Sequence, residues 1–194
     1  MGEPRPDRRA GTQLHVTSLP SGRLDDDALR WLDFMAKSGL SIWQMLPLVI
    51  PDSSRSPYQS PSAFAMNPQL LPDDEEPVIA SEFEEYCALQ AGWLDDFALF
   101  QVLKSRFNHE TWVAWPDPFR NRDPEFLDKA RDLDAAGILH IKQQQHRLDR
   151  AWRRIRQHAS DLDIQLFGDV PIFIAHDSAD TWSQPQNFLL DDEG

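Results

Sequence analysis

Apolar positions along this chain switch between two spacings, and the switches mark its elements. From Asp25 to Lys37, Ala28, Trp31, Leu32 and Met35 recur three and four residues apart, with acids crowding the first turn. That is the stripe of an amphipathic helix, its N-terminal dipole met by carboxylates. Gly39 follows as a helix stop. The short runs Thr12–Val16 and Ser41–Leu48 suit strands, the second buried. Strand, helix and strand over about forty residues predict a βαβ unit, a parallel pair with a right-handed crossover. Residues 51–68, with four of the fifteen prolines, read as an ordered irregular loop, and Pro72–Pro77 as an acidic solvated stretch. Glu82–Ala91 and Asp96–Asn108 predict helices, the latter capped by Asp95 or Asp96. Trp112–Pro118 is a Trp/Pro loop. Asp123-Pro124 starts another helix, an N-cap followed by proline, that runs to about Ala159 with an interruption at Gly137. On it Arg147, Arg150 and Arg154 share a face, a solvated stripe toward the acidic body. Ile164–Gly168 is the third parallel strand.

Three strands with a mostly helical insertion fit the opening of a barrel better than a finished sheet, and would leave strand edges unpaired. The 194 residues suffice for a domain with a real core. They fall short of the roughly 250 of a complete (β/α)8 barrel. Seven tryptophans and eleven phenylalanines offer aromatic faces that suit sugar rings, although core packing is their commoner use. A net charge of −13 opposes nucleic acid or an anionic membrane surface as partner and is compatible with a neutral carbohydrate. The lone Cys87 allows no internal disulfide. Residues 1–10 form a polar lead-in, expected to be disordered, without the apolar core of a signal peptide. Together these point to a reducing cytoplasm. No run reaches the ~18 apolar residues of a membrane span.

Candidate chemistry concentrates near residue 170. The run Leu166-Phe167-Gly168-Asp169-Val170-Pro171-Ile172-Phe173-Ile174-Ala175 delivers a carboxylate at the end of a strand, where parallel α/β proteins bind substrates. Asp177 and Asp180 read as turn and N-cap residues ahead of Ala179–Trp182 rather than as catalytic partners of Asp169. The six histidines show no metal-ligand spacing, and no G-x-S-x-G elbow, phosphate loop or dinucleotide fingerprint occurs. His15 reads as a satisfied strand-end histidine.

Five segments, in order, resemble motifs of the 4-α-glucanotransferases, the amylomaltases or disproportionating enzymes. They are Leu14-His15-Val16-Thr17-Ser18-Leu19-Pro20, Trp43-Gln44-Met45-Leu46-Pro47-Leu48, the loop from Ser56-Pro57-Tyr58-Gln59-Ser60 to Asn67-Pro68, Trp112-Val113-Ala114-Trp115-Pro116, and the Gly168–Trp182 block. The resemblance covers roughly residues 11–194. It implies an α/β fold, the first strands of a (β/α)8 barrel, divided as a βαβ unit at 11–50, an inserted loop and helical subdomain at 51–160, and the third strand with its following loop at 161–194. It also implies transfer of α-1,4-glucan segments between malto-oligosaccharides by retaining double displacement, without metal or organic cofactor.

Carried over by position, Asp169 matches the aspartate of the donor-sugar subsite, and Tyr58 the tyrosine packing on the same sugar. Ser56 joins them as a substrate-binding candidate, while Gln59, Asn67 and Asp177 occupy supporting, loop-shaping positions. The chain departs from the family pattern in the shortened Ser21-Gly22-Arg23-Leu24, in Met66 before Asn67-Pro68, and in His176. The family's nucleophilic aspartate, acid/base glutamate and third aspartate lie in motifs beyond Gly194. No catalytic residue is therefore assigned, and the isolated chain is expected to be inactive and marginally folded. Two further readings stand beside this one. One is a non-catalytic glucan- or partner-binding module; the other is a chain whose second half is a separate polypeptide.

Overall fold

The computed structural model describes residues 8–52, 54–73 and 77–191. Most of the 1–10 lead-in, and residues 74–76 of the acidic stretch, lie outside the described residues.

Helix α1 (Asp26–Lys37) forms as its sequence predicts. Asp25 caps it, a side-chain oxygen accepting from the Asp27 N–H at 2.9 Å. Gly39 closes it at φ +73°, a left-handed conformation that glycine adopts without Cβ strain. Ala28, Leu32 and Met35 are fully buried by this helix. They face a three-stranded parallel sheet of β1 (Gly11–Gln13), β2 (Ile42–Gln44) and β4 (Gln165–Phe167), in that spatial order.

Each strand is shorter than its apolar run. Leu14 still donates its N–H to Gln44, but the chain then leaves the sheet, and Val16–Ser18 winds into a 3-10 turn. On the other side Met45 likewise still donates its N–H to Phe167, at 3.0 Å. Position in the sheet sorts the side chains by face. Trp43 is buried toward the helices, flanked by Thr12 and Leu166. Gln13, Gln165 and Phe167 are exposed on the other face.

Between β2 and β4 the chain builds β3 (Gln59–Ser60), then α2 (Ala80–Leu89), α3 (Leu94–Arg106), α4 (Asp117–Arg120), α5 (Pro124–Leu133) and the 27-residue α6 (Ala135–Asp161). Residues 51–68 are more ordered than a loop reading implies, because β3 pairs in parallel with β5 (Phe173–Ile174). Trp112–Pro118 likewise contains a 3-10 turn at Trp112–Ala114 and the start of α4.

Three local expectations are corrected. Trp93, not Asp95 or Asp96, occupies the N-cap of α3; the acids sit two and three residues inside, in the first turn. The long helical pattern breaks at Asp134, not Gly137. Gly137 lies within α6, where a Cβ would stand 3.2 Å from the Val102 Cγ1 of α3, so its smallness permits close helix approach. Asp123 does cap α5, ahead of Pro124, as expected.

Two cores result. An aliphatic one joins Leu24, Leu32, Met35, Met45, Leu70, Leu148 and Ile155 around Trp43. An aromatic one joins Phe97, Phe100, Trp112, Trp115, Leu127 and Trp182, the last from α7 (Ala179–Ser183). Helix α6 touches both, packing on α1, α3 and β4. The arginines of its predicted stripe find acids on neighbouring helices: Arg154 meets Asp26 at 2.7 Å, and Arg150 approaches Glu82 at 3.7 Å.

Candidate functional site

Strand pairing between β3 and β5 brings Tyr58 to Asp169. The Phe173 N–H donates to the Tyr58 carbonyl and the Ala175 N–H to that of Ser60, each at 2.9 Å. With the backbones so fixed, the Tyr58 hydroxyl donates to Asp169 Oδ2 at 3.0 Å, across 111 residues of sequence, at an exposed position. Asp169 Oδ1 accepts the Val170 N–H at 2.8 Å. The carboxylate as acceptor raises the Tyr58 phenol above its ordinary range, so the hydroxyl stays protonated as a donor.

The loop between Tyr58 and Asn67 is anchored from several sides. Ser56 donates its N–H to Asp52 and accepts, at its hydroxyl, the N–H of Tyr58. Ser62 Oγ accepts from the backbones of Phe64 and Ala65. Asn67 is nearly buried, caps the 3-10 turn at Pro68–Leu70 and donates its backbone N–H to Leu48. Gln59 is exposed on β3, in register with Phe173.

Asp177 is not drawn into the Tyr58–Asp169 pair. Its oxygens bind the Lys104 ammonium at 2.5 Å and the Trp112 N–H at 3.1 Å. The same ammonium reaches the carbonyls of His109 and Glu110, so Asp177 fixes the 176–178 turn to the end of α3. Neither Asp177 nor Asp180 caps α7. Ser178 does, its hydroxyl accepting from Thr181 at 3.0 Å.

Asp180, read from the sequence as a turn or cap residue, and Gln145, passed over there, both hold the loop. Asp180 accepts the Ala63 N–H at 3.1 Å, and burial raises its carboxyl above the usual range. Gln145, 1% exposed, grips the Met66 backbone with both ends of its amide, each bond 2.9 Å. A glutamine on the buried stripe of α6 was the signal available for it. His15 is also not satisfied as expected: its buried Nδ1 has no hydrogen-bond partner among the described residues, and burial lowers its pKa. Among the described residues no group of three or more His, Cys, Asp or Glu could hold a metal ion, and no helix is long and apolar enough to cross a membrane.

The site is thus a surface donor–acceptor pair, pinned by long-range backbone pairing and carrying no clustered carboxylates. The model of the 4-alpha-glucanotransferase family matches residues 14–76 and 72–194. The chain belongs to that family. It is 33% identical to the 4-alpha-glucanotransferase of Synechocystis and 32% to that of Thermus thermophilus, in each case over 96% of this chain and 47% of the relative. An amylomaltase from Streptococcus agalactiae in complex with acarbose superposes with TM-score 0.87 at 25% identity, covering 96% of this chain and 48% of that one. The chain spans about half the length of these family members.

Proposed function

We propose that this chain forms the donor-sugar side of an α-1,4-glucan site and serves the transfer of glucan segments between malto-oligosaccharides. The Tyr58–Asp169 hydrogen bond carries the reading. A carboxylate offers about four lone-pair sites. Two are used, by Tyr58 and by the Val170 N–H, which leaves acceptors for sugar hydroxyls at an exposed position. The Tyr58 ring, its hydroxyl tethered, presents a fixed face to the C–H edge of a sugar. Ser56 shapes the approach to that ring, and Gln59, Asn67 and Asp177 support the loops around it.

In the retaining scheme one carboxylate attacks the anomeric carbon while a carboxylic acid protonates the leaving oxygen; a second sugar's 4-hydroxyl then resolves the glycosyl-enzyme. Tyr58 and Asp169 perform neither step; they hold the donor ring. The parallel order β1, β2, β4, with helices packed on one face, supports reading these strands as the opening of a (β/α)8 barrel with 51–160 inserted. A cytoplasmic setting belongs to the same proposal and rests on the lone Cys87. The charge of −13 argues against nucleic acid as a partner.

Titrating acarbose or maltoheptaose into the chain, followed by tryptophan fluorescence, tests the site. Saturable binding is expected, weakened about tenfold, ~1.4 kcal/mol, by Tyr58→Phe or Asp169→Asn. Unchanged affinity in both variants, or no binding at all, overturns it. The same chain is expected not to disproportionate maltotriose, since the residues assigned to bond cleavage have no counterpart in 1–194; glucose release would contradict this.

A further inference from the structure

Helix α6 is basic in an acidic chain. It carries six of the nineteen lysines and arginines against two acids, where the whole chain has a net charge of −13. Arg147, Arg150 and Arg154, three and four residues apart, share one face of it. They line a cavity of about 270 Å³. The rest of its lining is apolar: Leu24, Leu71 and Pro72, with Ala151 on the helix itself. That apolar wall is fixed from behind. Leu24 donates its N–H to the Leu70 carbonyl at 2.9 Å, and the Arg23 guanidinium donates to the Leu71 carbonyl at 2.7 Å. Arg150 donates to the Pro77 carbonyl at 3.1 Å. The acids that meet these arginines stand in solvent. Asp26 pairs with Arg154 at 2.7 Å and Glu82 with Arg150 at 3.7 Å, their side chains 65% and 49% exposed. Asp73, 85% exposed, pairs with Arg23 at 2.9 Å. Exposed pairs hold their charges weakly.

We infer that this cavity binds a phosphate monoester on a single sugar-sized ring. A phosphate group offers the guanidiniums several oxygens at once, in the forked geometry that suits arginine, where each rim carboxylate offers one side chain one partner. The apolar part of the lining calls for a body with a C–H face. A pyranose has such faces and carries hydroxyls at its edge, so it meets both halves of the lining. The volume, about 270 Å³, lies just below the ~300 Å³ where drug-sized pockets begin, so one ring with its phosphate fits and a chain of rings does not. The cavity also sits where this chain departs from its family. The two stretches of the family match meet at residues 72–76, beside Pro72. The alignment to the Synechocystis relative runs over 237 residues for 96% of this 194-residue chain, so that relative carries residues with no counterpart here. Neither Tyr58 nor Asp169 lines the cavity, and the inference is independent of the proposed function.

The test is isothermal titration of glucose 6-phosphate into the 194-residue chain in a phosphate-free buffer, with inorganic phosphate and glucose titrated in parallel. One site is expected for the ester, about tenfold tighter than for inorganic phosphate, with no binding of glucose. Arg147→Gln/Arg154→Gln should weaken it about tenfold or more, with a far-UV circular dichroism spectrum like that of the wild type. Arg153→Gln/Arg156→Gln removes the same charge from the same helix at residues that do not line the cavity, and should change the affinity less than about twofold. No binding, inorganic phosphate or glucose bound as tightly as the ester, or equal losses in the two double variants would each overturn the inference. The titration reads no glucan. Failure of the chain to bind acarbose would count against the proposed function and leave this site standing.

Discussion

The two cores of this chain bury comparable sets of side chains and end in opposite states. The aromatic core closes on itself. Phe100, Trp115 and Trp182 meet pairwise with ring centroids 5.4–5.8 Å apart, and Arg122 lies 4.3 Å over the Trp182 ring. Its tryptophan ring nitrogens find partners: Trp182 Nε1 donates to the Phe119 carbonyl, and Trp112 Nε1 to that of His176. The sheet core packs its helices on one side, and among the described residues Gln13, Gln165 and Phe167 are exposed on the other. One segment crosses from the open region to the closed one. Residues 167–173 are exposed, while Ser178–Trp182 is anchored in the aromatic core and secures β5 against β3. The helices between β2 and β4 thus hold the Tyr58–Asn67 loop from the side of the aromatic core.

Removing the keystone of the closed core gives the largest expected effect. Trp182→Ala empties a site that is 1% exposed, a cost of roughly 3–5 kcal/mol in urea denaturation. Hydrogen exchange should accelerate in α3 and α5 while α1 and β2 keep their protection. Equal acceleration in all four would mean that the two cores unfold as one unit, erasing the distinction.

Legibility from sequence follows the same division. Features decided within a few residues were readable: the apolar stripe and acidic first turn of α1, Gly39 at its end, and Asp123-Pro124 opening α5. Features decided by a distant partner were not. The β3–β5 ladder joins residues more than a hundred positions apart, and Gln145 earns its place only through Met66. Gly137 looked like a break because its real cause, the closeness of Val102, lies on another helix. Asp95 and Asp96 have capping chemistry, but Trp93 makes the turn into α3. Of the candidate site, motif positions suggested Tyr58 and Asp169 together, and the hydrogen bond between them needed the fold.

A smaller effect separates the sheet core from the α2–α6 contact by pH. Burial lowers the pKa of His15, beside the sheet core, and of His146, between α2 and α6; at His146 Arg150 and Arg153 act in the same direction, against Asp149 and Glu82. A histidine whose folded pKa lies below its unfolded value binds fewer protons when folded. Its contribution is therefore intact above the unfolded value, about 6.5, and lost as pH falls through and below it. Urea midpoints should be flat above about pH 6.5 and drop toward pH 5. His15→Asn and His146→Phe should each flatten the drop, and the variant that flattens it more shows whether the sheet core or the α2–α6 contact fails first in acid.

The smallest effect concerns the joint between the aromatic core and the Tyr58–Asn67 loop. Asp180 has its carboxyl pKa raised by burial, partly offset by the bond from the Ala63 N–H. A carboxyl raised in the folded state favours folding below its unfolded value and loses that contribution as pH rises through the folded one. At pH 7 the charge thus costs stability, while the accepting oxygen supports the loop. Asp180→Asn keeps the oxygen and removes the charge, so its thermal midpoint at pH 7 should rise, by about 0.5 kcal/mol or less. The gain should vanish near pH 3, where Asp180 itself is protonated. Asp180→Ala discards the acceptor as well and should fall below wild type at both pH values. If the asparagine variant falls with it, the Ala63 N–H requires a charged partner, and the closed core holds the Tyr58–Asn67 loop by electrostatics rather than by shape.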